Sequence, residues 1–264
     1  MEIKGSVAVI TGGGNGIGEA VAKYFARNGA KLVIVDMVQK NIDRVVKDIQ
    51  EAGGEVIGVQ ANVTSEADTA KFIKAAIEAF GQINIAVSCA GIIRDGTMLA
   101  LDKETGKVSR KMGLDKWQPV IDTNLTGTFL TIRDGAEAMV NGGWPGLLVA
   151  ISSVNKVGQV GQLNYSSAKV ADALLPKIVV GEFMLRGIRN VRCIAIAPGY
   201  TATPMLTGMN QDALQAILAD VHLGRLVEPE EIARLIGHCV ENEAINATTL
   251  EITGGLCYPG GIAK

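Results

Sequence analysis

The fold is decided by residues 7–18, VAVITGGGNGIG, where an apolar run leads through a glycine-rich turn into a helix. Glycine permits the tight turn, lets the backbone approach a pyrophosphate and allows close packing of helix on strand. The helix N-terminus offers free N–H groups and a partial positive charge to phosphates. Although a glycine turn alone can lack a ligand, this strand–turn–helix context favours a dinucleotide site. Its expected cofactor contacts are Gly12, Asn15, Gly16, Ile17 and Gly18.

Outward from this stretch, short β-branched runs alternate with longer helical patterns along the whole chain. The runs are continuously apolar, which is typical of parallel strands covered on both faces. We predict an α/β fold: one doubly wound parallel sheet (Rossmann fold) of about seven strands with helices on both faces. No Pro/Gly/Ser linker divides residues 1–264, so a single domain is expected. The predicted strands are Val7–Thr11, Lys31–Val35, Val56–Gln60, Ile83–Ser88, Gly146–Ser152, Val191–Ala197 and Thr249–Thr253. The predicted helices are Gly16–Asn28, Lys40–Ala52, Ser65–Phe80, Asp115–Val140, Tyr165–Arg186 and Pro229–Glu241.

Composition excludes several classes of function. The formal net charge is −2 and the charges are scattered, so no basic stripe for nucleic acid and no cationic face for a membrane is expected. No apolar run is long enough to span a bilayer, and the residues before the first strand lack the regions of a signal peptide. The four cysteines have no C-x-x-C spacing and there are only two histidines, so no metal site is expected. These features predict a cytoplasmic protein.

The second predicted strand is followed by Asp36, 18 residues after Gly18. A carboxylate at this point accepts hydrogen bonds from ribose hydroxyls and repels a 2′-phosphate. Neither Met37 nor Asn15 offers a cation for such a phosphate. The sequence therefore predicts NAD as the cofactor. A solvated strand-end Asp or a helix cap is the alternative interpretation of this residue.

The candidate chemistry lies in Tyr165-Ser166-Ser167-Ala168-Lys169. Tyr and Lys at positions i and i+4 share one helix face, and a nearby ammonium favours the tyrosinate form. Tyr165 is therefore the candidate acid–base for an alcohol proton. A serine in Ile151–Val154, at a strand end, can hydrogen-bond the substrate oxygen beside it. By itself a Tyr-x-x-x-Lys pair is more often a surface feature of a helix, but the glycine turn, Asp36 and the serine favour catalysis.

The Gly-x-x-x-Gly-x-Gly spacing, with the Tyr-x-x-x-Lys pair and a preceding serine, resembles the short-chain dehydrogenase/reductase family from Val7 to about Gly255. The resemblance implies that Lys169 contacts the nicotinamide ribose and that Asn124 bends a helix and supports a water-linked proton path to the lysine. Asn62 and Val63 match an Asp-Val pair at adenine. The family's Asn-Asn-Ala-Gly is Ser88-Cys89-Ala90-Gly91 here, with both asparagines replaced. The residues expected to hold the nicotinamide or flank the adenosine are Cys89, Ala90, Gly91, Pro198, Gly199, Thr201 and Thr203.

The resemblance leaves two candidates for the catalytic serine. The family's usual spacing of thirteen residues before Tyr165 selects Ser152, whereas the local Ser-Val match selects Ser153 with one residue deleted before Gly158. We favour Ser153. The other serine is then interpreted as a residue at the strand end whose hydroxyl is hydrogen-bonded to the backbone.

Two segments bear on the substrate. A charged insertion near residues 94–116 is expected to be a solvated surface hairpin, or alternatively a lip over the substrate cleft. The segment 203–224, with Met205, Leu206 and Met209, is expected to cover that cleft. Several local strings look like type-2 3-hydroxyacyl-CoA dehydrogenases.

The expected function is hydride transfer between NAD and a secondary alcohol or ketone, with a hydrophobic hydroxy substrate that is 3-hydroxyacyl-CoA-like or a cyclic, steroid-like alcohol. A 3-oxoacyl carrier-protein reductase is the alternative, and a non-catalytic nucleotide-sensing protein a remote one. A homodimer or homotetramer is expected, because two helices carry long apolar faces, as in oligomeric members of the family. These faces comprise Phe129, Ile132, Met139, Ile178, Val179 and Phe183, part of which must be intrachain core.

Overall fold

In the computed structural model, which describes residues 1–208 and 210–256, seven parallel strands form one sheet and two more form a separate antiparallel hairpin. In chain order the strands are β1 (Val7–Thr11), β2 (Lys31–Asp36), β3 (Val56–Gln60), β4 (Ile85–Ser88), β5 (Leu99–Leu101), β6 (Val108–Lys111), β7 (Gly146–Ile151), β8 (Val191–Pro198) and β9 (Thr248–Ile252). The sheet order is β3-β2-β1-β4-β7-β8-β9, and β5 pairs with β6. The predicted doubly wound parallel sheet is confirmed.

Helices connect the strands of the sheet. They are α1 (Gly16–Arg27), α2 (Gln39–Glu51), α3 (Glu66–Phe80), α4 (Leu114–Ile121), α5 (Gly127–Gly142), α6 (Leu163–Leu185), α7 (Pro204–Thr207), α8 (Gln211–Leu218) and α9 (Pro229–Glu241). A π-helical turn (Asp122–Thr126) joins α4 to α5, and a 3₁₀ turn (Val154–Val157) precedes α6.

The strands of the sheet other than the edge strand β9 bury side chains on both faces. In β1, Ala8 and Ile10 pack with residues of α1, α2 and α9, whereas Val7 and Val9 pack with residues of α3, α5 and α6. Because successive side chains of a strand point to opposite faces, two core layers require the continuous apolar runs seen in the sequence.

The strand order reverses direction between β1 and β4, and this reversal positions the site. From β1 the chain moves outward to β2 and β3, then returns to place β4 on the other side of β1. Adjacent βα connections therefore diverge at the carboxyl ends of β1 and β4, which leaves a crevice there for a ligand.

One predicted helix differs from the structure. The helix expected over Asp115–Val140 runs from Leu114 to Gly142 and is interrupted by the π-helical turn. The segment 203–224 contains α7 and α8; Met209, one of the apolar residues expected to cover the cleft, lies outside the described residues. Of the apolar residues on the two helices, part of which must be intrachain core, Ile132 and Met139 are 4% and 0% exposed and belong to that core. Within the described ranges, no helix is long and apolar enough to cross a membrane.

Candidate active site

The glycine turn after β1 forms a close backbone cradle. Gly12 has φ +63°, and a Cβ atom there would lie 2.9 Å from the backbone nitrogen of Ala90. A Cβ atom on Gly18 would lie 2.3 Å from the carbonyl oxygen of Gly12. Asn15 caps α1, its side-chain oxygen accepting from the N–H of Gly16 at 2.8 Å. The turn excludes larger side chains and brings the N-terminus of α1 to the crevice, so it fits a dinucleotide pyrophosphate.

Asp36 is held over this turn at the end of β2. One carboxylate oxygen accepts from the N–H of Gly14 at 3.1 Å, and the other from the N–H of Val38 at 3.0 Å. The side chain remains partly exposed. Two backbone donors fix the carboxylate beside the glycine turn, where a ribose is expected.

A cation that the sequence prediction overlooked also reaches the turn. Arg44, on α2, donates to the carbonyl of Gly14 at 2.9 Å and forms two hydrogen bonds to the carboxylate of Glu19, at 2.6 and 2.7 Å. The hydrogen bonds from Arg44 lower the pKa of Glu19, so the acid remains charged and neutralises the guanidinium. Arg44 is eight residues beyond Asp36, and no local pattern links it to the turn.

The residues expected at adenine lie beyond the neighbouring strand ends. Asn62 follows β3, and its side-chain oxygen accepts from both the N–H and the hydroxyl of Thr64, at 3.1 and 3.0 Å. Val63 is buried, and a Cβ atom on Gly127 would meet its Cγ2 at 2.6 Å. The oxygen of Asn62 is therefore used in its own turn, which leaves the amide nitrogen as the group for a ligand.

On the other side of the glycine turn, one cleft of about 270 Å³ is lined by most of the remaining predicted residues, although not by Ala90 or Asn124. Backbone and side chains from the ends of β4, β7 and β8 meet α6 there. The lining comprises Ile17, Cys89, Gly91, Ile92, Ile93, Ile151, Ser152, Ser153, Asn155, Gln162, Tyr165, Lys169, Pro198, Gly199, Thr201, Thr203 and Leu206. From the segment 203–224, Thr203 and Leu206 line this cleft.

Within this cleft, Tyr165 and Lys169 lie one above the other on α6. The ammonium nitrogen of Lys169 is 5.7 Å from the centroid of the Tyr165 ring. It donates to the carbonyl of Ile151 at 2.7 Å and to the carboxylate of Asp172 at 2.9 Å. Burial, the largest single cause, lowers the pKa of Lys169, but the charge and hydrogen bond of Asp172 together with the charges of Tyr165 and Cys89 outweigh it, so the net pKa is raised. Lys169 is therefore a buried cation beside the phenol.

The two serines after β7 differ in their hydrogen bonds. The hydroxyl of Ser152 donates to the backbone carbonyl of Lys169 at 2.6 Å. The hydroxyl oxygen of Ser153 accepts from the N–H of Asn155 at 3.1 Å, which leaves its own proton available. Ser152 is therefore the serine whose hydroxyl is hydrogen-bonded to the backbone at the end of the strand. Ser153 can donate its proton to a substrate oxygen.

Asn124 lies in the π-helical turn and is fully buried. Its side-chain oxygen accepts from the N–H of Ile92 at 2.8 Å, and its amide nitrogen donates to the carbonyl of the same residue at 2.9 Å. Such turns distort a helix locally. Asn124 thereby fixes the chain after β4 where it lines the cleft.

Sequence reasoning missed two further polar residues on α6. Asn164 donates to the carbonyls of Arg94 and Lys116, at 3.0 and 2.8 Å, and so holds both ends of the charged insertion beside Tyr165. Asp172 is the buried partner of Lys169. The pairing of Asp172 with Lys169 has a local signal, because an acid three residues after a lysine lies on the same side of a helix. The hydrogen bonds of Asn164 depend on the tertiary arrangement and have no local pattern.

Two other chemistries receive no support from the side chains in the cleft. Cys89 is a neutral thiol, because burial raises its pKa to about 12. Across the described part of the chain, no group of three or more His, Cys, Asp or Glu could hold a metal ion. The arrangement is suited to proton transfer at Tyr165 next to a bound dinucleotide.

Comparison with known proteins agrees with this geometry. A family model described as short chain dehydrogenase matches residues 6–214. The chain is 31% identical to the (3R)-3-hydroxyacyl-CoA dehydrogenase of Rattus norvegicus, covering 97% of this chain and 98% of the relative. It is 36% identical to a 3-oxoacyl-(acyl-carrier-protein) reductase of Synechocystis sp., covering 95% and 96%. The crystal structure of gox2181 shares the fold, with a TM-score of 0.86 at 22% identity over 97% of this chain and 96% of that chain. The chain therefore belongs to the short-chain dehydrogenase/reductase family and is an oxidoreductase that acts on CH–OH groups.

Proposed function

We propose that this enzyme interconverts a secondary alcohol and a ketone, with Tyr165 as the acid–base. The observation that carries the proposal is the meeting of Tyr165, Lys169 and Ser153 in one cleft beside the glycine turn. In oxidation, the phenolate oxygen of Tyr165 takes the hydroxyl proton of the alcohol; in reduction, the phenol returns it to the carbonyl oxygen. A nicotinamide dinucleotide held by the glycine turn and by Lys169 would supply the hydride acceptor for oxidation and, in its reduced form, the hydride donor for reduction.

The other residues of the cleft prepare this proton transfer. The ammonium of Lys169 favours the phenolate by its charge. Two of its N–H groups are bonded to Ile151 and Asp172, so the third is left for a ribose hydroxyl. The hydroxyl of Ser153 donates to the substrate oxygen and holds it beside Tyr165. Asn124 keeps the backbone of Ile92 in place at the wall of the cleft.

NAD is the proposed cofactor. Asp36 supports it, because a carboxylate fixed by two backbone N–H groups beside the glycine turn accepts bonds from ribose hydroxyls and repels a 2′-phosphate. Arg44 does not reverse this preference, since Glu19 already neutralises its charge. Gly12, Gly16, Ile17 and Gly18 are the proposed contacts of the pyrophosphate.

We propose a 3-hydroxyacyl thioester as the substrate class. The rat relative named for (3R)-3-hydroxyacyl-CoA and the apolar residues Ile92, Ile93 and Leu206 of the cleft support it. The cyanobacterial relative named as a carrier-protein reductase favours the second candidate, reduction of 3-oxoacyl groups. A panel of 3-hydroxybutyryl-CoA, cyclic secondary alcohols and acetoacetyl-CoA, each with NAD(H) and NADP(H), separates the two.

The decisive test is Tyr165→Phe, which removes only the phenol hydroxyl. Folding and NADH binding should survive, while turnover of the best substrate in the panel falls by ~10²–10⁴. Thermal unfolding and NADH fluorescence serve as controls. Near wild-type turnover in this variant would refute the mechanism, and a wild-type protein that forms no NADH in a single turnover would point to nucleotide sensing instead.

A further inference from the structure

One buried acid has no part in the steps described above. Asp172 lies on α6 one turn beyond Lys169, and its side chain has no exposed surface. One carboxylate oxygen accepts from the ammonium of Lys169 at 2.9 Å. The other has no hydrogen-bond partner among the described residues. Asp172 itself does not line the cleft.

This arrangement is a poor way to stabilise a fold. Removing a carboxylate from water is costly, and an unpartnered oxygen adds to that cost. A buried ion pair seldom stabilises a protein more than apolar residues of similar size would. Alanine, leucine and valine surround Asp172 along α6, so an apolar side chain would suit the helix equally well. The carboxylate therefore calls for an explanation other than stability.

The charges around Lys169 supply that explanation. The titratable groups that act on its ammonium are Asp172, Tyr165 and Cys89. Cys89 stays a neutral thiol because burial raises its pKa to about 12, and the charge of Tyr165 changes during the proposed reaction. Asp172 is thus the counter-charge that Lys169 has apart from the reacting phenol. Burial raises the pKa of Asp172 while the ammonium opposes that rise, so each group of the pair depends on the other to remain charged.

We propose that Asp172 is a positioning residue, whose carboxylate keeps the ammonium of Lys169 charged and fixed between Ile151 and the cleft so that Tyr165 can work as an acid–base. This inference rests on the proposed function of the same site. Without the carboxylate, Lys169 remains buried but loses its counter-charge, and it gives up its proton at a lower pH. Alcohol oxidation needs the phenolate of Tyr165 and the ammonium of Lys169 at the same time. Without the carboxylate, the two no longer coexist at alkaline pH.

The state of Lys169 can be measured without turnover. Lysine labelled with carbon-13 at Cε reports deprotonation by NMR, and the signal of Lys169 is the one missing in Lys169→Ala. In the isosteric Asp172→Asn variant, the titration midpoint of Lys169 should fall by about one pH unit or more. An unchanged midpoint would overturn the proposal. If Asp172→Asn does not fold, Asp172→Ser removes the same charge with a smaller side chain.

Kinetics then test whether the charge matters for the reaction. Oxidation of 3-hydroxybutyryl-CoA by the wild type should rise with pH to a plateau, measured from about pH 6 to about pH 10. Asp172→Asn should rise and then fall again as Lys169 deprotonates. Glu182→Gln, which removes an exposed charge from the same helix, should keep the wild-type profile. A profile of Asp172→Asn that superimposes on the wild type would contradict the proposal.

A double-mutant cycle shows whether Asp172 acts through Lys169. In the Lys169→Ala background, Asp172→Asn should cause no further loss of turnover. The same fold-loss in both backgrounds would mean that Asp172 acts by another route, and the proposal would be wrong. Tyr165→Phe is assayed in parallel: if it remains active, the proposed function fails, whereas the NMR titration still decides the role of Asp172.

Discussion

At the scale of single residues, adjacent serines at one strand end have different hydrogen-bonding freedom. Ser152 and Ser153 both line the cleft, but the hydroxyl of Ser152 donates its hydrogen bond to the backbone carbonyl of Lys169. Ser153 uses only its oxygen, as an acceptor for Asn155. Sequence spacing alone could not choose between them, because one deleted residue in the following loop changes the count. The hydrogen bonds favour Ser153 as the donor to substrate.

Alanine substitutions at both positions test this assignment. Ser153→Ala should lower kcat by ~10²–10³, as expected for the loss of a donor that acts in the transition state. Ser152→Ala should be milder, costing about 1 kcal/mol of stability for its lost hydrogen bond and little turnover. The two kcat values, with thermal unfolding as the control, decide the matter. A larger kcat loss in Ser152→Ala would reassign the role to Ser152.

We also expect a single residue, Asp36, to set the choice of cofactor. The wild type should prefer NAD over NADP by at least about tenfold in kcat/KM, which needs only about 1.4 kcal/mol from one unfavourable contact with a 2′-phosphate. Asp36→Ala should raise KM for NAD and relax the preference. Asp43→Ala, which removes an exposed acid from α2, is the matched control and should change neither value. Equal efficiency of the wild type with both cofactors would contradict the prediction.

At the scale of elements, the inserted hairpin is attached firmly at its base and loosely at its tip. Asn164 holds the carbonyls of Arg94 and Lys116, and the N–H of Gly96 donates to the carbonyl of Gly161 at 2.8 Å. By contrast, no residue of β5 or β6 is buried. The base is thus attached to α6 and to the turn before it, whereas the strands beyond the base form an exposed hairpin.

Removing the hairpin separates its two candidate roles. The N–H of Met112 donates to the carbonyl of Met98 at 2.9 Å, so Gly-Gly in place of residues 99–111 can close the gap. Because these strands bury no side chain, the melting temperature should fall by less than ~4 °C. Turnover of a small cyclic alcohol should be unchanged. A raised KM for 3-hydroxybutyryl-CoA alone would identify a lip over the cleft, whereas loss of folding would contradict the solvated hairpin.

The sequence predicted those elements whose pattern is local. Seven strands and the glycine turn follow from apolar runs and glycine spacing, and Tyr165 and Lys169 from the i, i+4 geometry of a helix. The break between α4 and α5 could not be predicted, since it accompanies the pairing of Asn124 with Ile92, 32 residues away. Arg44 was missed for the same reason: its place at the glycine turn comes from how α2 packs.

At the scale of the whole molecule, part of the apolar surface of α6 is left uncovered by the residues that the structure describes. Val170, Leu174 and Ile178 follow one another at four-residue intervals and are 42%, 55% and 56% exposed. Phe129 on α5 is 47% exposed. Ile132 and Met139 belong to the intrachain core and do not contribute to this outward surface. A contiguous apolar surface of this kind is typical of a contact between copies.

We therefore expect a homodimer or homotetramer that uses this face of α6. Light scattering coupled to size exclusion should give a multiple of the mass of one chain for the wild type. Leu174→Glu combined with Ile178→Glu should shift the protein to the monomer, because a contact between copies would bury two unpaired charges. Leu101→Glu, at an apolar position on the hairpin that is 60% exposed, is the matched control and should leave the assembly intact. A wild-type protein with the mass of a single chain at working concentration would contradict the expected assembly. A double variant that keeps the wild-type mass would mean that the interface lies on another surface.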